Sequence, residues 1–257
     1  VLTDIWKFRR GWGLVLLYGQ TALAAYMLGE TFRAVPRAAS QAIVGRLAGG
    51  YNGAAEAGAD TAKADAAMAL FEFVEDDSVA AGAAKVGPHD GKIRITASDA
   101  AGASYGLGQY IKYTQKGHIS WCANRIPDTW PVPTEETTYT PAVPVRLAYN
   151  YCTLSYTMAF WSADQWREEI DRLALEGLNV ALVLNGLPAV WRETLRSVKD
   201  ASGNQVFSDD QIRAFIADEA AMAWWHMGNL EGLGGPMSDE RIDADARLAK
   251  WMYAEMM

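Results

Sequence analysis

The sequence has little from which metal centres, disulfide frameworks or nucleic-acid surfaces are built. Its 257 residues include two cysteines, Cys122 and Cys152, and three histidines, His89, His118 and His226. Two thiols make neither a zinc site nor a disulfide scaffold. They read as separate thiols, with pairing open in an oxidising compartment. None of the histidines stands at i, i+4 spacing with another ligand, so no metal is expected. Basic blocks are absent and the net charge is −8, which argues against nucleic acid as a partner. No G-x-S-x-G elbow supports a serine hydrolase. The glycine clusters SYGLGQY and GLGGP lack the third glycine or the Lys-Ser/Thr of a phosphate loop and read as structural turns. No cofactor is expected.

An uninterrupted apolar span is also missing. In WKFRRGWGLVLLYGQTALAAYMLGE, from residue 6, a basic cluster (Lys7, Arg9, Arg10) precedes an apolar stretch broken by Gln20 and Thr21. With Ala22-Leu23-Ala24 as a small-residue cleavage site, this is the layout of an export signal. A secreted or periplasmic protein is the expectation, and residues 1–35 are its leader. A buried helix remains open. A membrane contact follows only if residues 11–28 stay as an uncleaved anchor.

What is present is ordinary for a globular chain: 50% apolar and 21% charged residues, enough to bury one large core or two modest ones. Ten tryptophans and eleven tyrosines can stack on sugar rings or fill cores, so their number alone decides neither. The chain starts at Val1 and stops at Met257 inside a helical pattern, and it reads as a piece of a longer protein.

Residues 36–126 read as a small α/β domain. A helix is expected from Pro36 to Leu47 with Ala39, Ile43 and Leu47 on one face. Residues 66–74 should end as a strand, and residues 92–96 (KIRIT) alternate as a half-buried strand. Asp99 can cap a helix that buries Ala103, Leu107 and Ile111. Gly102, Gly106 and Gly108 would weaken that helix unless they permit close packing on a sheet. His118 to Trp121 reads as a further strand. Residues 127–144, with five prolines, read as a linker.

Residues 146–185 organise the remainder as strand, helix, strand. RLAYNYCTLSYTMAFW has strand composition. Ser162 with Gln165 suggests a helix start. Trp166, Ile170, Leu173 and Ala174 form its apolar stripe, with Arg167, Glu168, Glu169, Asp171 and Arg172 on the wet side. Gly177 suits the helix end, and Val180 to Leu184 suits a covered parallel strand. Beyond it, Pro188 fits the first turn of another helix, Ser208 with Gln211 repeats the capping signal ahead of Ile212, Phe215 and Ile216, and Ser238 opens a last helix with Leu248, Trp251 and Met252 inward. In βαβ units ligands sit beyond the carboxyl ends of the strands. Those ends carry polar, uncharged groups: Asn150, Cys152, Thr153, Ser155, Tyr156 and Asn185. They can orient a hydroxylated ligand or merely satisfy loop backbone. No acid lies between Asn150 and Trp161 or from Asn185 to Arg192, so the paired carboxylates of glycoside hydrolysis are not found there.

At these residues the sequence resembles the α-N-acetylglucosaminidases of glycoside hydrolase family 89. The family's N-x-C-T-x-S-Y pattern appears as Asn150, Cys152, Thr153, Ser155 and Tyr156. Its W-x-x-E-I-D-x-x-A-L-x-G helix runs from Trp166 to Gly177. Its W-x-x-M-G-N-L appears as Trp224, Met227, Gly228, Asn229 and Leu230, followed by Gly235-Pro236. GKIRITASDAAGASYGLGQYIKY and HISW are similar to its N-terminal domain. Two departures stand out: Gly186, Leu187 and Pro188 where the family has Gly-Gln-Glu, and Leu233 where an aromatic residue is common.

The resemblance implies an α/β fold in which a small N-terminal α/β domain precedes the beginning of a truncated (β/α)8 TIM-type barrel at residues 145–257. It implies a retaining exo-hydrolase that removes terminal α-linked N-acetylglucosamine from glycans, without metal. Asn150, Cys152 and Tyr156 would line the sugar pocket, joined on the strand-end argument by Asn185. Two catalytic glutamates would come from later strands, beyond Met257, leaving this piece alone inactive. The competing expectation is a non-catalytic glycan-binding protein that kept the pocket and lost the acids. Oligomeric state is not indicated.

Overall fold

The computed structural model describes residues 36–49, 60–229 and 236–256. The export-signal expectation at residues 1–35 and the departure at Leu233 lie outside them. Among the described residues the chain forms two compact units: residues 36–148 with 164–180, and residues 149–163 with 181–256. No described helix is long and apolar enough to cross a membrane.

The first unit opens with helices α1 (Pro36–Gly49) and α2 (Thr61–Leu70), the latter capped by Asp60, whose side chain accepts from Lys63 N. Strands β1 (Phe71–Glu75), β2 (Ala84–His89), β3 (Lys92–Ala97) and β4 (Thr137–Tyr139) form a sheet in the order β1-β3-β2-β4. β1 runs parallel to β3; β2 runs antiparallel to both β3 and β4. Ile93, Ile95, Phe71, Phe73 and Val86 bury their side chains in the core with Ile43, Val44 and Leu47 of α1. Ala39, expected on that face, is exposed.

Asp99 caps helix α3 (Ala100–Tyr110) by accepting from Gly102 N at 2.6 Å, and it also accepts from Gly82 N at 2.8 Å. The glycines of α3 serve contact. A Cβ on Gly102 would lie 2.4 Å from the Ala83 carbonyl oxygen, and one on Gly106 2.6 Å from Ala84 Cβ. One on Gly108 would meet the Leu175 carbonyl oxygen at 1.8 Å. The helix therefore presses on the sheet through two of them and on another helix through the third. A π-helical turn (Ile111–Gln115) ends it.

Two expectations for this unit are corrected. His118 to Trp121 is not a strand; a single bridge joins His118 to Arg125. The stretch 127–144 is tied to the domain: β4 lies within it, Tyr110 Oη donates to Pro131 O at 3.0 Å, and Trp130 packs edge-on against Phe71. The strand β2 was not expected, because Gly87 and Pro88 disguise it. Gly87 is needed where Glu136 Cα would stand 2.9 Å from a Cβ, and β4 pairs only as far as Val86, short of Pro88.

The strand-helix-strand order at residues 146–185 is present, with short strands. β5 (Leu147–Ala148) is hydrogen-bonded to β6 (Val180–Ala181) in a two-stranded sheet, and helix α5 (Ala163–Leu175) lies between them in sequence. The Arg146 carbonyl accepts from Asn179 N and Val180 N, and Arg146 N donates to Asn179 Oδ1 at 2.8 Å. Gly177 adopts φ +80 at the end of α5. The wet face of α5 is a correction: Glu169 and Asp171 are buried. Asp171 receives a bidentate contact from Arg46 of α1, and Glu169 receives Arg172 and the indole N–H of Trp121. Burial of these carboxylates is offset by charge-assisted hydrogen bonds.

In the second unit, the strand expected to run on from residue 146 stops at Ala148. Helices α4 (Tyr151–Thr153), followed by a π-helical turn (Leu154–Met158), α6 (Leu187–Ser197), α7 (Asp209–Phe215), α8 (Glu219–His226) and α9 (Asp239–Met256) complete it. Pro188 stands in the first turn of α6, and the Ser208–Gln211 capping box closes on α7. Ser238 Oγ accepts from Arg241 N at the start of α9. Ile212, Ile216, Met237 and Ile242 form a core cluster. Phe215, expected inward, is exposed, its ring edge-on to Trp191 and Trp225.

Candidate functional site

The end of β5 is shaped by a local contest between strand composition and side-chain capping. Tyr149 adopts φ +73, an uncommon conformation for a residue with a side chain. Asn150 then caps α4: its Oδ1 accepts from Cys152 N at 2.9 Å and Thr153 N at 3.2 Å, while Asn150 N donates to Thr153 Oγ1 at 3.3 Å. This reciprocal box turns the chain into a helix despite the Tyr, Thr and Leu content. Asn150 is exposed and Cys152 half-buried; both cysteines are free thiols. Leu154 and Met158 bury one side of the π-helical turn.

The other side leaves Tyr156 73% exposed, its ring edge-on to Trp224 at 5.2 Å. Ser155 Oγ accepts from Ala223 N at 3.2 Å and fixes the turn against α8. Met227 and Asn229 follow, exposed, around Gly228 at φ +73. The arrangement is an open aromatic corner with polar edges, able to stack on a sugar face and hydrogen-bond its hydroxyls.

The second strand end is more enclosed. Asn185 is 6% exposed and its Nδ2 donates to Asp245 Oδ1 at 3.3 Å. Gly186 N donates to the other carboxylate oxygen at 2.6 Å. Gly186 has φ +82, and a Cβ there would lie 2.8 Å from Ala249 Cβ, so glycine is required twice over. Leu187 and Pro188 are buried in the first turn of α6, so this departure from the family pattern falls on packing residues. Asp245 had no signal in the sequence, since it stands on α9, sixty residues from Asn185. It corrects the expectation of a strand end without an acid. No hydrogen bond among the described residues joins Asn150, Cys152 or Tyr156 to Asn185.

Glycoside cleavage needs a carboxyl group held protonated at working pH. The buried carboxylates here each accept hydrogen bonds from the fold itself: Asp245 from a backbone N–H, Asp171 from Arg46 and Glu169 from Arg172. On α9, hydrogen bonding from Arg192 holds Asp243 below the usual carboxylate range. Among the described residues, no three His, Cys, Asp or Glu side chains gather as a metal site.

Residues 146–257 match the family model for the α-N-acetylglucosaminidase (NAGLU) TIM-barrel domain. The chain is similar to the α-N-acetylglucosaminidases of glycoside hydrolase family 89. It is 30% identical over 148 residues to the α-N-acetylglucosaminidase of Homo sapiens, a match covering 57% of this chain and 19% of the human protein. Two structures of a family 89 glycoside hydrolase from Clostridium perfringens superpose with TM-score 0.71 at 25% identity, covering 93% of this chain and 26% of theirs. One is a complex with PUGNAc; the other carries two glutamate-to-glutamine replacements and holds its substrate, GlcNAc-α-1,4-galactose. The family 89 likeness thus extends over the small α/β domain and the opening of the barrel. The chain spans about a fifth to a quarter of the length of these relatives.

Proposed function

We propose that this chain is the N-terminal domain and opening barrel segment of a retaining exo-hydrolase that removes terminal α-linked N-acetylglucosamine from glycans. The observation that carries the reading is the family match over residues 146–257; the turn at Asn150 and Cys152 that follows β5, and the exposed Tyr156 against Trp224 of α8, support it. These groups would bind and orient the sugar. The catalytic glutamates would come from later barrel strands, outside these 257 residues, so the chain alone would bind without cleaving. The two Glu-to-Gln replacements in the substrate-bound bacterial relative suit a pair of catalytic carboxylates. A substrate confined to glycans also suits export, which we propose from the basic-apolar pattern at residues 6–29.

Reading the coding DNA beyond Met257 tests this. An open frame completing the barrel, with a glutamate at each of two later strand ends, is the expected result. A stop codon directly after Met257 would overturn the enzyme and favour the second reading, glycan binding without catalysis.

A further inference from the structure

Asn185, buried beside Asp245, keeps one polar atom that the packing of the fold does not use. Asp245 is 4% exposed and accepts from both Gly186 N and Asn185 Nδ2. A carboxylate offers only acceptors, so it fixes which end of the Asn185 amide faces it: the NH2 group points to Asp245 and the carbonyl oxygen points away. That oxygen, Oδ1, is buried and has no hydrogen-bond partner. A buried acceptor left unsatisfied is costly, and native proteins seldom leave one without water or a ligand to fill it. It stands beside the N-terminus of the eleven-residue helix α6, just past the second barrel strand, where ligands of such folds sit.

We infer that Asp245 is a positioning residue that orients Asn185 so that its Oδ1 accepts a hydrogen bond from a hydroxyl or acetamido N–H of the bound sugar. The inference rests on the glycosidase reading above and deepens it by assigning one polar contact and the residue that sets its direction. The geometry excludes the reverse assignment. Were Asn185 to present its NH2 group to the ligand, its carbonyl oxygen would face the Asp245 carboxylate, acceptor against acceptor.

The test uses the complete gene product and a panel of N-acetylglucosamine analogues in which each hydroxyl in turn is removed and the acetamide N–H is replaced by an ester oxygen. Affinities are measured by calorimetry for wild type, Asn185→Ala and Asp245→Asn. In wild type, losing the donor that meets Oδ1 should weaken binding about threefold to tenfold, as for one neutral hydrogen bond. That one penalty should vanish in Asn185→Ala, while the penalties for the other groups persist. It should shrink in Asp245→Asn, whose side-chain NH2 can draw Oδ1 toward itself and turn the amide round.

Asp245→Asn preserves shape; should it fail to fold, the Asn185→Ala comparison alone decides the contact. Unchanged penalties in the folded variants would overturn the inference, assign Oδ1 to a trapped water and leave the glycosidase reading intact. Failure of the wild-type protein to bind N-acetylglucosamine at all would overturn that reading, and the inference with it.

Discussion

Arg46 and Asp171 meet across the first unit, with Nε at 2.6 Å and Nη2 at 2.7 Å from the two carboxylate oxygens. The contact joins helix α1 to helix α5, which lies within the barrel match, and Asp171 is almost wholly buried. Removing Arg46 leaves a buried anion without its bidentate donor. Breaking a buried pair costs about 3–5 kcal/mol, and the partial exposure of Arg46 brings the expected loss to about 2–3 kcal/mol. Urea unfolding of Arg46→Ala and Asp171→Ala, with the double variant, should show strong coupling; additive losses would contradict the account.

Gly108 is the point where α3 touches α5 most closely. Gly108→Ala places a methyl group into the Leu175 carbonyl and should cost about 2–3 kcal/mol, as for overpacking a tight interior. Gly91→Ala is the control: φ is +76 but nothing lies within 4 Å of a Cβ, so only backbone strain of about 1 kcal/mol is expected. Thermal melting of both should rank them in that order.

Asn150 has a structural role separable from any ligand contact. Asn150→Ala removes the cap of α4 and should cost about 1 kcal/mol, whereas Asn150→Asp retains an acceptor and should keep most of it. If the aspartate variant keeps its melting temperature yet loses affinity for N-acetylglucosamine, Asn150 contributes to the pocket as well as to the turn.

Acid should loosen the second unit through its Arg192 and Arg196 clamps. Hydrogen bonds from Arg192 to Asp243 and from Arg196 to Asp209 hold both carboxyls below the ordinary aspartate value of 3.8. A folded-state value below the unfolded one gives stability that is present above the unfolded value and lost as pH falls through the folded one. Melting temperatures of wild type and Asp243→Asn should therefore differ near neutral pH and converge below about pH 4. A gap that widens on acidification would contradict this.

The sequence exposes those features whose cause is local. Asp99 and Ser208 announce helix starts through one side chain, and Gly177 and Pro188 mark helix boundaries through backbone geometry alone. What stayed hidden depends on distant partners. The burial of Asp171 requires Arg46, 125 residues away, and the role of Asp245 requires α9 to lie along α6. The Asn150 turn was concealed for another reason: its capping box sits inside a run whose composition favours strand, and two hydrogen bonds to one side chain outweigh that preference. For the candidate site, Asn150, Cys152, Tyr156 and Asn185 were legible as polar groups at strand ends. The contrast between an open first end and a more enclosed second one was not.

The most direct test is hydrolysis of GlcNAc-α-1,4-galactose followed by NMR, with the complete gene product and the 257-residue chain side by side. The complete protein should release N-acetylglucosamine first as the α-anomer, the mark of retention, and the shorter chain should release none. Hydrolysis by the 257 residues alone, or none by the complete protein, would contradict the proposed function.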